Sequence, residues 1–167
     1  MSKPFDLHLD PAQLQAIGHF AAHWSFFETE VEFTISCLGA AIDRDQTIPF
    51  AFNEKLRRWR KLARCYYTAP EILAQCNLII DDAKKAHDLR AVILHGRMLG
   101  DPKRRKRIIA VSLERHRSAE WAVQSYDVPP RKIQKWANEV GRDSVRLIQF
   151  NAKQLPGSPR ALPCRWP

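Results

Sequence analysis

The chain lacks any run of about 18 consecutive apolar residues, the length a membrane-spanning helix needs. No association with a membrane is therefore expected. The opening Met1-Ser2-Lys3-Pro4-Phe5-Asp6 also lacks the basic-then-apolar order of a secretory signal, which points to a cytoplasmic protein. No CxxC pair occurs: Cys37, Cys65, Cys76 and Cys164 stand far apart, which argues against a structural zinc site or a disulfide framework and for reduced, mostly buried thiols. There is no glycine-rich phosphate loop and no GxSxG elbow, so nucleotide hydrolysis by P-loop chemistry and serine hydrolysis are both disfavoured. Internal repeats are absent too, and no cofactor is expected.

What the chain does have is positive charge. Its 167 residues carry a formal net charge of +9 and a pI near 9.7, a balance that attracts polyanions, nucleic acid first. The charge is clustered. Lys55, Arg57, Arg58, Arg60, Lys61 and Arg64 form one patch around Trp59, an aromatic able to pack or to stack on a base. Lys103, Arg104, Arg105, Lys106 and Arg107 form a second. Together they make contact with nucleic acid expected, although each patch alone also suits a solvated helix face or loop.

Hydrophobic spacing organises the chain into helices. Asp10-Pro11 supplies a cap and a first-turn proline, after which Leu14, Ile17, Ala21, Trp24, Val31, Ile35 and Leu38 recur at spacings compatible with one helical face. Residues 43–53 read as a loop around Pro49, and Asn53 is placed to cap a basic helix through Leu56, Trp59, Leu62 and Ala63. Thr68-Ala69-Pro70 opens a third helix whose face runs through Cys76, Ile79, Ile80, Ala83 and Ile93, with Gly96 as its left-handed cap.

Two short β-branched or aromatic runs come next, Arg107–Leu113 and Glu120–Tyr126, separated by a polar turn. They predict a two-stranded hairpin. After Pro129-Pro130 a last amphipathic helix passes through Ile133, Ala137, Val140, Ser144 and Leu147. The expected fold is mainly α: an up-and-down bundle of about four helices with a β-hairpin inserted before the last helix, as a single domain over 1–154. A proline-rich tail, 155–167, is expected to lack order of its own.

The chemistry-bearing residues lie near the end of the third helix, where Arg90 and His95 combine a permanently charged fork of donors with an imidazole that titrates near neutrality. Such a pair can handle phosphate. Five residues apart, they point about 140° away from one another on an ideal α-helix, so convergence requires the last turn to tighten or unwind. The helix C-terminus would favour a protonated imidazole at His95, suited to act as a general acid. Glu28 falls among apolar residues of the first helix and needs a cation or solvent; Arg90 is a candidate. His19 and His23, four apart on one face, have no nearby third ligand in the sequence, so no metal site is assigned.

At Arg90 and His95 the chain resembles the HEPN superfamily, whose hallmark is an arginine, four to six residues, then a histidine near the end of a long helix in a helical bundle. Trp24 and Glu28 on the first helix are similar to a tryptophan and glutamate found there in some members. The resemblance covers roughly residues 10–150 as architecture and Arg90 and His95 as motif. It implies a metal-independent endoribonuclease, in the manner of toxins and phage-defence effectors, with the active site at a homodimer interface and a neutralising protein as possible partner. Arg90, His95 and Glu28 are then the catalytic set: His95 moves protons, Arg90 stabilises phosphate charge, and Glu28 orients one of them. One departure stands out. Ala91 occupies a place where catalytic members usually carry a polar residue, which keeps open the alternative of a catalytically silent module binding RNA or a protein partner.

Overall fold

The structure is a computed structural model that describes residues 9–42, 47–95, 97–100, 108–115 and 121–155. For residue 95 and for the strand residues up to 127 the description is of the backbone alone. The protein is mainly helical: α1 (Pro11–Ala41), α2 (Phe52–Tyr66), α3 (Pro70–Arg90) and α4 (Pro130–Gln154). Three strands, β1 (Arg97–Gly100), β2 (Ile108–Arg115) and β3 (Trp121–Val128), lie between α3 and α4 in sequence.

α1 begins with a reciprocal cap. The Gln13 backbone N–H donates to Asp10 Oδ1 and the Asp10 N–H donates to Gln13 Oε1, both at 2.8 Å, so two of the unpaired donors of the first turn are satisfied at once. This draws Gln13 inward, to 1 % exposure, and turns Leu14 outward, to 53 %. The inward stripe accordingly runs Ala16, Phe20, Trp24, Phe27, Val31, Ile35 and Leu38, and Leu14, expected in it, lies outside.

α2 is capped two residues before the expected Asn53. Ala51, in extended conformation and without a side-chain cap bond, holds that position, because Phe52 is buried and is taken into the first turn. The expected Gly96 cap of α3 lies outside the described residues, as do the tail from residue 156 and the basic segment Lys103–Arg107. Directly after Arg90 the backbone winds into a π-helical turn, Ala91–His95. Pro130 opens α4 in the first turn, where its missing N–H costs nothing.

The two-stranded hairpin needs correction. The strands form a three-stranded antiparallel sheet in the order β1-β2-β3, with Leu99 opposite Ile109 and Ala110 opposite Tyr126. β1, only four residues long, carries no alternation of its own; its backbone donors and acceptors are paired by β2.

The chain divides into two compact units, 1–24 with 86–140 and 25–85 with 141–167. In the first, buried Phe20, Trp24, Ile93, Ile133, Ala137 and Val140 form the apolar set, and β2 lies against the π turn. The second is a helical bundle whose buried residues come from four helices: Val31, Ile35 and Leu38; Leu56, Trp59 and Leu62; Ile79 and Ile80; Leu147 and Phe150. Tyr67 meets Phe150 edge to face, centroids 5.6 Å apart. One buried polar pair crosses this core, Asn151 Nδ2 donating to Thr34 Oγ1 at 2.9 Å while Thr34 donates to the Glu30 carbonyl at 2.7 Å. Both side chains are thereby satisfied, as burial requires.

Candidate functional site

Arg90 closes the last α-helical turn of α3, and its guanidinium carbon lies 5.4 Å from the centroid of the Trp24 ring on α1. Trp24 is 2 % exposed, so the platform beneath the cation is fixed by packing. His87, one turn earlier on α3, sets its ring 5.9 Å from Trp24 at a tilt of 37°. The indole is thus flanked by a permanent cation and a titratable ring. A cation over an indole is worth about 1 kcal/mol at a half-exposed site, enough to bias the arginine's rotamers.

The π turn changes the relation between positions 90 and 95. An α-helix leaves them about 140° apart, whereas a turn paired i→i+5 winds more slowly and brings positions of that spacing nearer to one another around the axis. Backbone winding therefore narrows the separation that α-helical spacing would impose on these two positions. Ala91, the residue next to Arg90, is exposed and brings no polar group.

A second polar cluster sits in the same unit. His19 and His23 stack edge to face with Nε2 atoms 2.8 Å apart, and Gln134 Nε2 lies 2.6 Å from His19 Nδ1. If the Gln134 amide donates to Nδ1, His19 carries its proton on Nε2 and donates it to His23. Burial, and secondarily His19, lower the pKa of His23. Among the described residues no group of three His, Cys, Asp or Glu side chains is placed to hold a metal ion.

In the second unit, Glu28 finds its cation on α2. Lys55 Nζ donates to Glu28 at 2.7 Å and also to Glu32. Lys55 is 5 % exposed. Burial alone would lower its pKa, but hydrogen bonds and attraction from the two carboxylates outweigh that and raise it. Lys55, expected to contact RNA, is consequently committed to an internal ion-pair triad. Trp59 is corrected as well: fully buried, it offers no face to a base.

The opposite side of α2 remains open. Asn53, Arg57, Arg60, Lys61 and Arg64 recur along one face and line a cleft of about 580 Å³, whose other wall is Ile80 and Lys84 of α3. Arg57 bonds Glu54 and Arg60 bonds Asp81, each at 2.6 Å. No carboxylate pairs with Lys61, Arg64 or Lys84 among the described residues. Arg58, half-buried, is not among the cleft's lining residues. Lys84 was not singled out from sequence, since its neighbours Asp81 and Asp82 make the segment look like a balanced, solvated charge run; only the packing of α3 on α2 places it across from Arg57 and Lys61.

Compared with protein-family models, with curated proteins and with solved structures, the chain matches none. No described helix is long and apolar enough to cross a membrane.

Proposed function

We propose that the protein is a metal-independent endoribonuclease of HEPN type, with Arg90 and His95 as its reacting pair. The observation that supports this reading is the π-helical turn Ala91–His95, whose slower winding brings backbone positions 90 and 95 nearer to one helical face, beside an arginine held over Trp24. In the reaction a ribose 2′-hydroxyl attacks the adjacent phosphorus and the 5′-oxygen of the next nucleotide departs. His95 transfers the proton, and Arg90 neutralises charge growing on the non-bridging oxygens. The products carry a 2′,3′-cyclic phosphate and a 5′-hydroxyl. Two chains would assemble one composite site, and a role as a toxin or phage-defence effector, restrained by a neutralising partner, fits such a chemistry. Glu28, expected to orient Arg90 or His95, has Lys55 as an ion-pair partner.

A second reading has its own support. Ala91, exposed and apolar, holds the place directly after Arg90 where catalytic HEPN members usually carry a polar residue, as expected of a silent module that binds RNA through its basic surface.

One assay separates them. Wild type, His95→Ala and Arg90→Ala are incubated with labelled single-stranded RNA and with tRNA in EDTA, and product ends are examined. The nuclease reading expects cyclic phosphates from wild type and a loss of about 100-fold or more in each variant. RNA retained but uncut by wild type establishes the silent module instead. Sedimentation across micromolar concentrations tests the composite site, which a strictly monomeric protein would rule out.

A further inference from the structure

We infer that the cleft between α2 and α3 is a groove for the phosphate backbone of single-stranded RNA, selecting one strand over a duplex. This deepens the RNA reading above, on which it rests, and it concerns a surface distinct from Arg90. The cations are spaced as a linear polyanion requires: Arg57, Lys61 and Arg64 succeed one another along one face of α2, about one charge per 5.4 Å helical turn, while Lys84 faces them from α3. A compact ligand with one phosphate would need converging donors; a row of them suits successive phosphates. None of the lining residues is acidic.

Charge balance inside the cleft also favours an anion from outside. Of its five cations, Arg57 and Arg60 have carboxylate partners, which leaves Lys61, Arg64 and Lys84 as the surplus. The two existing pairs are solvent-exposed, hence weak, and can be exchanged for phosphate at little cost. The floor, Leu56 and Ile80, is apolar and nearly fully buried.

Size and chemistry set the class of ligand. The cleft, about 580 Å³, has room for a short run of one backbone. An A-form duplex presents a wide, shallow minor groove and a stiff outline that would lie over the cleft and not in it. The lining contains no aromatic residue, Trp59 being turned into the core, so the groove holds backbone and does not stack bases.

The test uses the full chain carrying His95→Ala, so that RNA is not consumed, with and without Lys61→Gln, Arg64→Gln and Lys84→Gln together. Fluorescence anisotropy measures binding of a short unstructured RNA and of its duplex over a salt series. Expected are preference for the single strand, a loss of at least about tenfold in the triple variant, and a salt slope smaller by about 2, three contacts at about 0.7 each. All three side chains are exposed, and unchanged circular dichroism melting confirms the fold. A loss under about twofold, an equal loss for duplex, or no binding of RNA at all overturns the groove.

Exposed Cys65, which lines the cleft, gives a second readout. Single-stranded RNA should slow its alkylation, followed by peptide mass spectrometry, whereas Cys76, buried and with its pKa pushed up to about 12, serves as the unreactive reference. Inorganic tripolyphosphate is run beside RNA. Protection by tripolyphosphate but not by RNA identifies a site for a free phosphorylated molecule and overturns the proposal. The nuclease reading fails separately: wild type that does not cut, with binding still dependent on the three cations, keeps the groove and removes the enzyme. Cleavage with binding indifferent to them does the reverse.

Discussion

The inner and outer faces of α2 carry the same kind of residue and use it in opposite ways. Lys55 points inward, 5 % exposed, between Glu28 and Glu32; Lys61, less than two turns later, is exposed and lines an acid-free cleft. The inner cation is part of the fold, and the outer one is available to a ligand. What separates them is whether packing brings a carboxylate within bonding distance, which local composition does not record. Arg90 falls between these cases, half-buried and held over an aromatic ring.

The sharpest way to probe the buried side of this contrast is to remove the support under Arg90. Trp24→Ala should cost about 3 kcal/mol or more, read by chemical denaturation, because a fully packed indole leaves a cavity. A cost under about 1 kcal/mol would mean the ring is not the fixed platform described.

Lys55→Met comes next, at about 2 kcal/mol. Breaking a fully buried pair costs about 3–5, and here Glu28 and Glu32 keep part of their solvent contact. Adding Glu28→Gln should recover part of the loss, and a double-mutant cycle measures the coupling. Because the pKa of Lys55 is raised, its stabilising contribution is complete at neutral pH and declines only as pH climbs above about 10.5. A melting-temperature profile in which wild type and Lys55→Met converge at strongly alkaline pH would match that sign; divergence would contradict it.

His23 gives a smaller, acid-side effect. Its lowered pKa means the folded state resists a proton that the unfolded chain accepts, so stability falls as pH drops below about 6.5 toward the folded value. His23→Gln should flatten that slope in thermal melts, whereas an unchanged slope would locate the titration elsewhere. The smallest effect belongs to the open face, where Lys61→Ala should shift stability by no more than about 0.5 kcal/mol. A larger change would reveal a structural partner for Lys61 and undo the contrast between the two faces.

The helices were legible because amphipathic periodicity and the caps that frame it are local properties. The stretch from Trp24 to Leu38 reads directly as a buried stripe, and Asp10 is a cap visible in sequence, whereas its Gln13 partner emerges only from the structure. Leu14 misled because an apolar residue in a first turn carries no mark of which way the cap will rotate it. β1 left no signal: four residues cannot show a period, and their pairing with β2 is a tertiary fact. The site was half legible. The Arg90 and His95 spacing marks the end of α3, but the π turn that follows Arg90 depends on winding that composition does not dictate. The partners of Glu28 and the burial of Trp59 were out of reach for the same reason.

By itself the sequence determined a basic, mainly helical chain and the approximate spans and main amphipathic faces of α1 to α4, since each derives from charge count or from spacing along one segment. Only the tertiary structure decided which cations are spent inside and which face solvent, that Lys84 stands across a cleft from Lys61, and that Trp24 lies beneath Arg90. Those outcomes depend on which residues far apart in sequence come within a few ångströms, where Coulomb attraction, hydrogen bonding and desolvation act.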